Sequence, residues 1–137
     1  MLRTIIPTVA LLLAMPLGAQ AASLADFNLN KSLQDTAKLS NAGTPRAISP
    51  DLLDKGFTVE GTVLINNLEA SPNLAAKMRS APELAVPQLG SSVCSNADFR
   101  NLMNKGATMR FDIREYRTNK PVLAQDFRAE NCQQRKG

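Results

Sequence analysis

The sequence predicts an α+β domain: a small antiparallel sheet of about three strands, packed on one face by helices and closed by one disulfide. Three observations predict it. Apolar and polar residues alternate over several short stretches, the pattern of half-buried strands. Other stretches carry a capping residue followed by apolar residues three or four apart, the pattern of helices laid on a core. The only two cysteines, Cys94 and Cys132, bracket a unit that reads as helix, glycine stop, strand, turn and strand.

The chain starts with a segment that reads as an export signal. Arg3 is followed by a largely apolar run from Ile5 to Leu17, and Ala19-Gln20-Ala21 offers small residues where a signal peptidase reads. The run is shorter than the ~20 apolar residues of a spanning helix. Residues 1–21 are therefore expected to be a signal peptide, and residues 22–137 one domain that is secreted or periplasmic after cleavage. No stable membrane anchor is expected. In an oxidising compartment a lone pair of cysteines is most simply a disulfide, so Cys94 is expected to pair with Cys132. Closing a loop of that size stabilises the chain by roughly 4 kcal/mol in the chain-entropy picture. With no Trp and one Tyr, the core is expected to rest on aliphatics and the five Phe.

The elements follow in order. Leu29, Leu33 and Ala37 share one face of a helix ending at Ser40, before Asn41-Ala42-Gly43; its start is left open within residues 22–28. Ser49-Pro50, with Gly56 closing the segment, reads as a short helical turn over residues 49–56. Phe57 to Ile65 reads as one strand, with Phe57, Val59, Val63 and Ile65 inward and Gly61 marking a bulge or a helix packed close. Ser71-Pro72 starts a helix to Arg79 whose face carries Leu74 and Met78. Ser80 to Ser92, with Pro82, Pro87 and Gly90, reads as a loop that tucks apolar side chains onto the core. Ser95 and Asp98 start a helix with Phe99, Leu102 and Met103 on its apolar face, ended by Gly106. Strand Thr108 to Arg117 turns Met109, Phe111 and Ile113 inward and Arg110, Asp112, Arg114 and Tyr116 outward. After a turn at Thr118 to Pro121, Val122 to Ala129 returns with Leu123 and Phe127 inward. A three-residue loop would pair Ile113 with Phe127, Arg114 with Asp126 and Asp112 with Arg128, matching apolar residues on one face and charges on the other.

Composition excludes several chemistries. There is no His, so His-based triads, His-ligated zinc and His general bases are ruled out. No glycine-rich phosphate loop or calcium loop is present. Asp112, Glu115, Asp126 and Glu130 are interleaved with arginines and read as a solvated ion-pair face rather than a catalytic pair. No cofactor and no metal is expected, and the chain is not expected to be an enzyme. The net charge of +4 is modest. Export and the lack of aromatic platforms argue against nucleic acid. The best surface for recognition is the row Arg110, Asp112, Arg114 and Tyr116, since Arg and Tyr are favoured at interfaces. The expected partner is another protein, of a host or of the envelope.

The exported start, the run Phe57-Thr58-Val59-Glu60-Gly61-Thr62-Val63, and Val93-Cys94-Ser95-Asn96-Ala97-Asp98-Phe99-Arg100 followed by Gly106-Ala107-Thr108-Met109-Arg110-Phe111 carry a resemblance. Over essentially its full length the chain resembles a small family of secreted Pseudomonas proteins described as putative quorum-sensing-regulated virulence factors. The resemblance implies export, a compact α+β fold and a role in virulence or host interaction, with no catalytic residues to transfer. The leading expectation is a secreted, non-enzymatic interaction protein. The alternative is a periplasmic accessory or inhibitor docking on an envelope enzyme, for which residues 80–92 would be the projecting loop.

Overall fold

A computed structural model describes residues 17–133. The expected signal segment lies mostly outside the described residues. Helix α1, Leu17–Ser40, already includes Ala19-Gln20-Ala21 and runs unbroken through residues 22–28. Its buried residues are Leu29, Leu33 and Ala37, one per turn, as the spacing requires. Phe27 is exposed, so four of the five phenylalanines, not all five, serve the core.

The sheet has five strands, not about three, in the order β1-β2-β3-β4-β5. They are β1 Arg46–Ser49, β2 Leu52–Glu60, β3 Val63–Ala70, β4 Thr108–Glu115 and β5 Pro121–Phe127. It is mixed rather than wholly antiparallel: β3 and β4 run parallel, from Val63 opposite Thr108 to Ala70 opposite Glu115. Of the two extra strands, β1 comes from residues 46–49, and the other arises where the expected strand over residues 57–65 divides between β2 and β3. The expected helical turn is instead a hairpin, with Ser49 opposite Leu52 across Pro50-Asp51. Tertiary bonding decides it: the Asp51 carbonyl accepts from the Ser71 N–H at 2.8 Å, and Leu52 pairs with Ala70. Gly56 does not stop a helix. It sits beside a bulge in β2 with φ +106, where a Cβ would lie 2.9 Å from Asn41 Oδ1. That Asn41 side chain closes the end of α1 onto β2, accepting from Phe57 N–H at 2.6 Å and donating to Phe57 O at 3.0 Å.

The expected single strand over residues 57–65 is a second hairpin. Glu60 faces Val63 across Gly61-Thr62, and Gly61 has φ +59 as a turn residue. The Gly61 carbonyl accepts from Asn30 of α1 at 2.6 Å, so a helix does approach there. The turn resets the alternation. Leu64 and Leu68 enter the core, while Ile65 is buried on the opposite face, beside Thr58 and Arg110 in register.

Three helices link β3 to β4: α2 Pro72–Ser80, α3 Pro82–Cys94 and α4 Ala97–Asn104. Ser71 caps α2, accepting from Leu74 N–H at 3.2 Å. The expected loop over residues 80–92 is helix α3. Pro82 stands at its first position, where no N–H is needed. Pro87 lies inside it, exposed. Gly90 is buried because the edge of Phe127 lies where its Cβ would be, 2.9 Å away. Val86, Leu89 and Val93 supply the helical spacing to the core. The cap of α4 is Asn96, accepting from Phe99 N–H at 3.1 Å, not Ser95, whose hydroxyl donates to the Ser91 carbonyl. Leu102 and Met103 are buried as expected.

The last hairpin keeps the expected faces but not the expected register. Met109 faces Phe127, Arg110 faces Asp126 and Ile113 faces Leu123, four residues from the expected pairing. The loop spans residues 116–119, closed by Glu115 N–H to Lys120 O at 2.8 Å, with Arg117 and Asn119 at positive φ. Helix α5, Ala129–Gln133, follows β5 and carries Cys132, which is disulfide-bonded to Cys94 at the end of α3.

Two outcomes test this packing. Replacing both cysteines by serine should lower stability by up to about 4 kcal/mol, read as an earlier urea midpoint with a slope that is no smaller, since the unfolded chain loses its crosslink. Gly90→Ala should cost about 1 kcal/mol net, an overpacking loss of roughly 1–3 kcal/mol against a helix-propensity gain of up to about 1 kcal/mol. A more stable Gly90→Ala variant would contradict the Phe127 contact.

Candidate functional site

Helices α1 to α4 all pack on the face of the sheet that carries Phe57, Leu64, Leu68, Met109, Phe111 and Ile113. The opposite face carries side chains that alternate with these. Register places Thr58 beside Ile65 and Ile65 beside Arg110, then Asn67 beside Asp112 and Glu69 beside Arg114. On β5, Asp126 and Ala124 continue the rows. The alternation that sends apolar residues inward thus sends Arg110, Asp112 and Arg114 to the bare face together. Tyr116 is not in that strand row. It lies in the loop after β4, about half exposed, beyond Arg114.

The charges on this face are ordered. Arg110 meets Asp126 in a two-pronged pair, Nε to Oδ1 at 2.7 Å and Nη2 to Oδ2 at 3.2 Å. That hydrogen bond, and next the attraction of the same carboxylate, raises the Arg110 pKa above its ordinary value. Arg114 reaches back to Asp112 at 3.4 Å and donates to the Asn119 carbonyl at 3.3 Å. Lys55 stands 3.7 Å from Glu69. From the helical side, Arg79 braces the same hairpin, pairing with Glu115 at 2.7 Å and donating to Pro121 O at 2.9 Å. The face is a row of half-exposed guanidinium groups whose directions are set by carboxylates and carbonyls.

At one end the face opens into a cleft of about 280 Å³. Ala47, Leu53, Asp51, Glu69, Ser71 and Tyr116 line it. Sequence reasoning placed Tyr116 among the recognition residues but missed the rest. For Asp51 and Leu53 the signal is the Pro50-Asp51 hairpin, which the sequence presents as a helical turn; Ala47 and Glu69 reach the cleft only through strand pairing, opposite Leu53 on either side. The chemistry on offer is recognition: carboxylates, guanidinium groups and one phenol ring around an apolar floor. Among the described residues no group of three or more His, Cys, Asp or Glu is placed to hold a metal ion. Among them, too, no helix is long and apolar enough to cross a membrane.

The chain belongs to the family described as putative quorum-sensing-regulated virulence factors, whose model matches residues 22–133. No curated protein matches it. Among solved structures it is similar to a putative secreted protein of Pseudomonas aeruginosa, at 49% identity and a TM-score of 0.78, over 80% of this chain and 96% of that one. It is also similar in fold to two type II secretion system pilotins. EpsS of Vibrio vulnificus matches at 17% identity and AspS of Vibrio cholerae at 21%, each with a TM-score of 0.67. They are matched over 80% and 82% of this chain and 96% and 99% of theirs.

The ion-pair register is open to a double-mutant cycle. Asp126→Lys should destabilise the hairpin, and Arg110→Glu added to it should recover part of the loss. The coupling should be within roughly 1 kcal/mol, as for a half-exposed pair. Recovery with Arg114→Glu instead would contradict the pairing.

Proposed function

We propose that this family member is an exported protein without enzymatic activity that holds a protein partner on its open sheet face. The observation that carries the reading is the open face itself: among the described residues, a five-stranded sheet covered by helices on one side only, with ordered arginines and an apolar cleft on the other. Arginine and tyrosine groups around an apolar patch are the usual make-up of a protein interface. Pairing the arginines in advance lowers the entropy cost of fixing them in a complex. The family description and the similarity to a putative secreted protein support export and a role outside the cytoplasm.

A second reading is an accessory role on an envelope assembly, in place of action on a host. The fold shared with pilotins of type II secretion systems favours it. Both readings use a protein partner, and they differ in where that partner is met.

A photo-crosslinking residue at Thr58 or Ala124, both exposed on the open face, tests the proposal in producing cells grown together with host cells. A discrete protein adduct should form from these positions and not from Gln88 on α3. Adducts in the medium would support the host-facing reading, and adducts confined to the periplasm the envelope reading. Adducts from Gln88 alone, or none in either fraction, would overturn the docking face.

A further inference from the structure

Resting on the docking reading, we infer that the cleft beside Tyr116 is the specificity pocket of the open face and takes an arginine side chain of the partner. Its lining is unlike the rest of that face. Arg110 and Arg114 give the face its guanidinium row, whereas the cleft brings together two carboxylates, Asp51 and Glu69, an aromatic ring and an apolar floor that includes Ala47 and Leu53. An anion would meet two carboxylates there. A purely apolar side chain would leave Asp51 without a charged partner.

The two acids are not equivalent. Glu69 is already compensated by Lys55 at 3.7 Å. Asp51 is oriented but carries no ion pair among the described residues. Its Oδ1 accepts from Ser71 Oγ at 2.9 Å and its backbone carbonyl accepts from Ser71 N–H, which leaves Oδ2 to take a donor. Tyr116 already carries one guanidinium, with the Arg117 carbon 5.6 Å from the ring centre, and the ring remains about half exposed. A planar guanidinium suits this set better than an ammonium. It donates in a fixed fork to a carboxylate, stacks on a phenol ring and is less strongly hydrated. Its methylene stem would lie on the apolar floor. The volume of about 280 Å³ has room for one such side chain.

The composition makes the test clean. Tyr116 is the only tyrosine and there is no tryptophan, so the intrinsic emission of the protein reports on this cleft alone. The full exported protein is titrated with N-acetyl-arginine amide, N-acetyl-lysine amide and the uncharged isostere N-acetyl-citrulline amide. The arginine compound should change the emission saturably. Citrulline should bind about tenfold more weakly, the factor carried by one charge-assisted hydrogen bond, with lysine in between. Asp51→Asn keeps an acceptor for Ser71, so thermal unfolding should stay unchanged while arginine binding drops by a similar factor. Equal responses to arginine and citrulline, no saturable response, or full arginine binding by Asp51→Asn would overturn the inference. Crosslinking from Thr58 and Ala124 without arginine binding would remove this pocket alone. Arginine binding without crosslinking would remove the docking reading alone.

Discussion

The parallel pairing of β3 with β4 is the constraint on which the rest depends. Antiparallel neighbours can be joined by a few residues, as β2 to β3 and β4 to β5 are. A parallel pair requires the chain to travel back the length of the sheet before it can pair again. Here that return occupies residues 71–107 and is folded as α2, α3 and α4. A return path must cross one face or the other. Once it has taken one face, together with α1, the apolar residues of β3 and β4 are committed to that side. Leu64, Leu68, Met109 and Ile113 are buried there, and of the alternate residues of the same strands Ile65 and Thr108 are buried on the other face while Asn67, Glu69, Arg110, Asp112 and Arg114 are partly open to water. The open face is thus what remains after one connection has been satisfied.

Local contacts then hold the two layers in place. Asn41 bonds both backbone groups of Phe57, which anchors the end of α1 to the strand next to the bulge. Gly90 lets α3 approach Phe127 as close as a ring edge allows, and Phe127 packs edge-on against Phe111. The disulfide joins the end of α3 to the short helix after β5, so the sheet edge and the return path cannot separate without opening a covalent loop. Arg79 reaches from α2 to the final hairpin. These contacts act from the helical side, yet they fix the strands whose outer residues form the candidate site.

Which residues face in was largely legible in the sequence, and which residues pair was not. The helical spacing of Leu29, Leu33 and Ala37, the strand alternation of Met109, Phe111 and Ile113, and the Cys94–Cys132 bond all stand. A period of two sets the face of a strand but not its register. A shift of four residues in the last hairpin leaves every face unchanged, and the charge match of Arg114 with Asp126 was replaced by the equally good match of Arg110 with Asp126. The other errors came from residues with two uses. Ser49-Pro50 is as good at a hairpin tip as at a helix start, and the contacts of Asp51 with Ser71 and of Leu52 with Ala70 select the hairpin. Pro82 and Gly90 read as breakers, but one sits where a helix tolerates proline and the other where a phenylalanine leaves no room for a side chain. Gly61-Thr62 hid a turn inside an apparently continuous alternation.

The position of the cleft follows from the same parallel pair. Parallel strands end at the same edge, so β3 at Ala70 and β4 at Glu115 leave the sheet side by side. One last backbone bond, Tyr116 N–H to Ala70 O at 2.8 Å, holds them together, and beyond it the chains part. One turns at Ser71 into α2 and the other at Tyr116 into the loop before β5. The gap between diverging chains at the carboxyl ends of parallel strands is where sheets of mixed layers commonly offer a binding crevice. Here the Pro50-Asp51 hairpin walls that gap on its third side and contributes the uncompensated carboxylate. Recognition chemistry therefore collects where the topology changes, and the strand direction that decides the fold also decides where a partner side chain can enter.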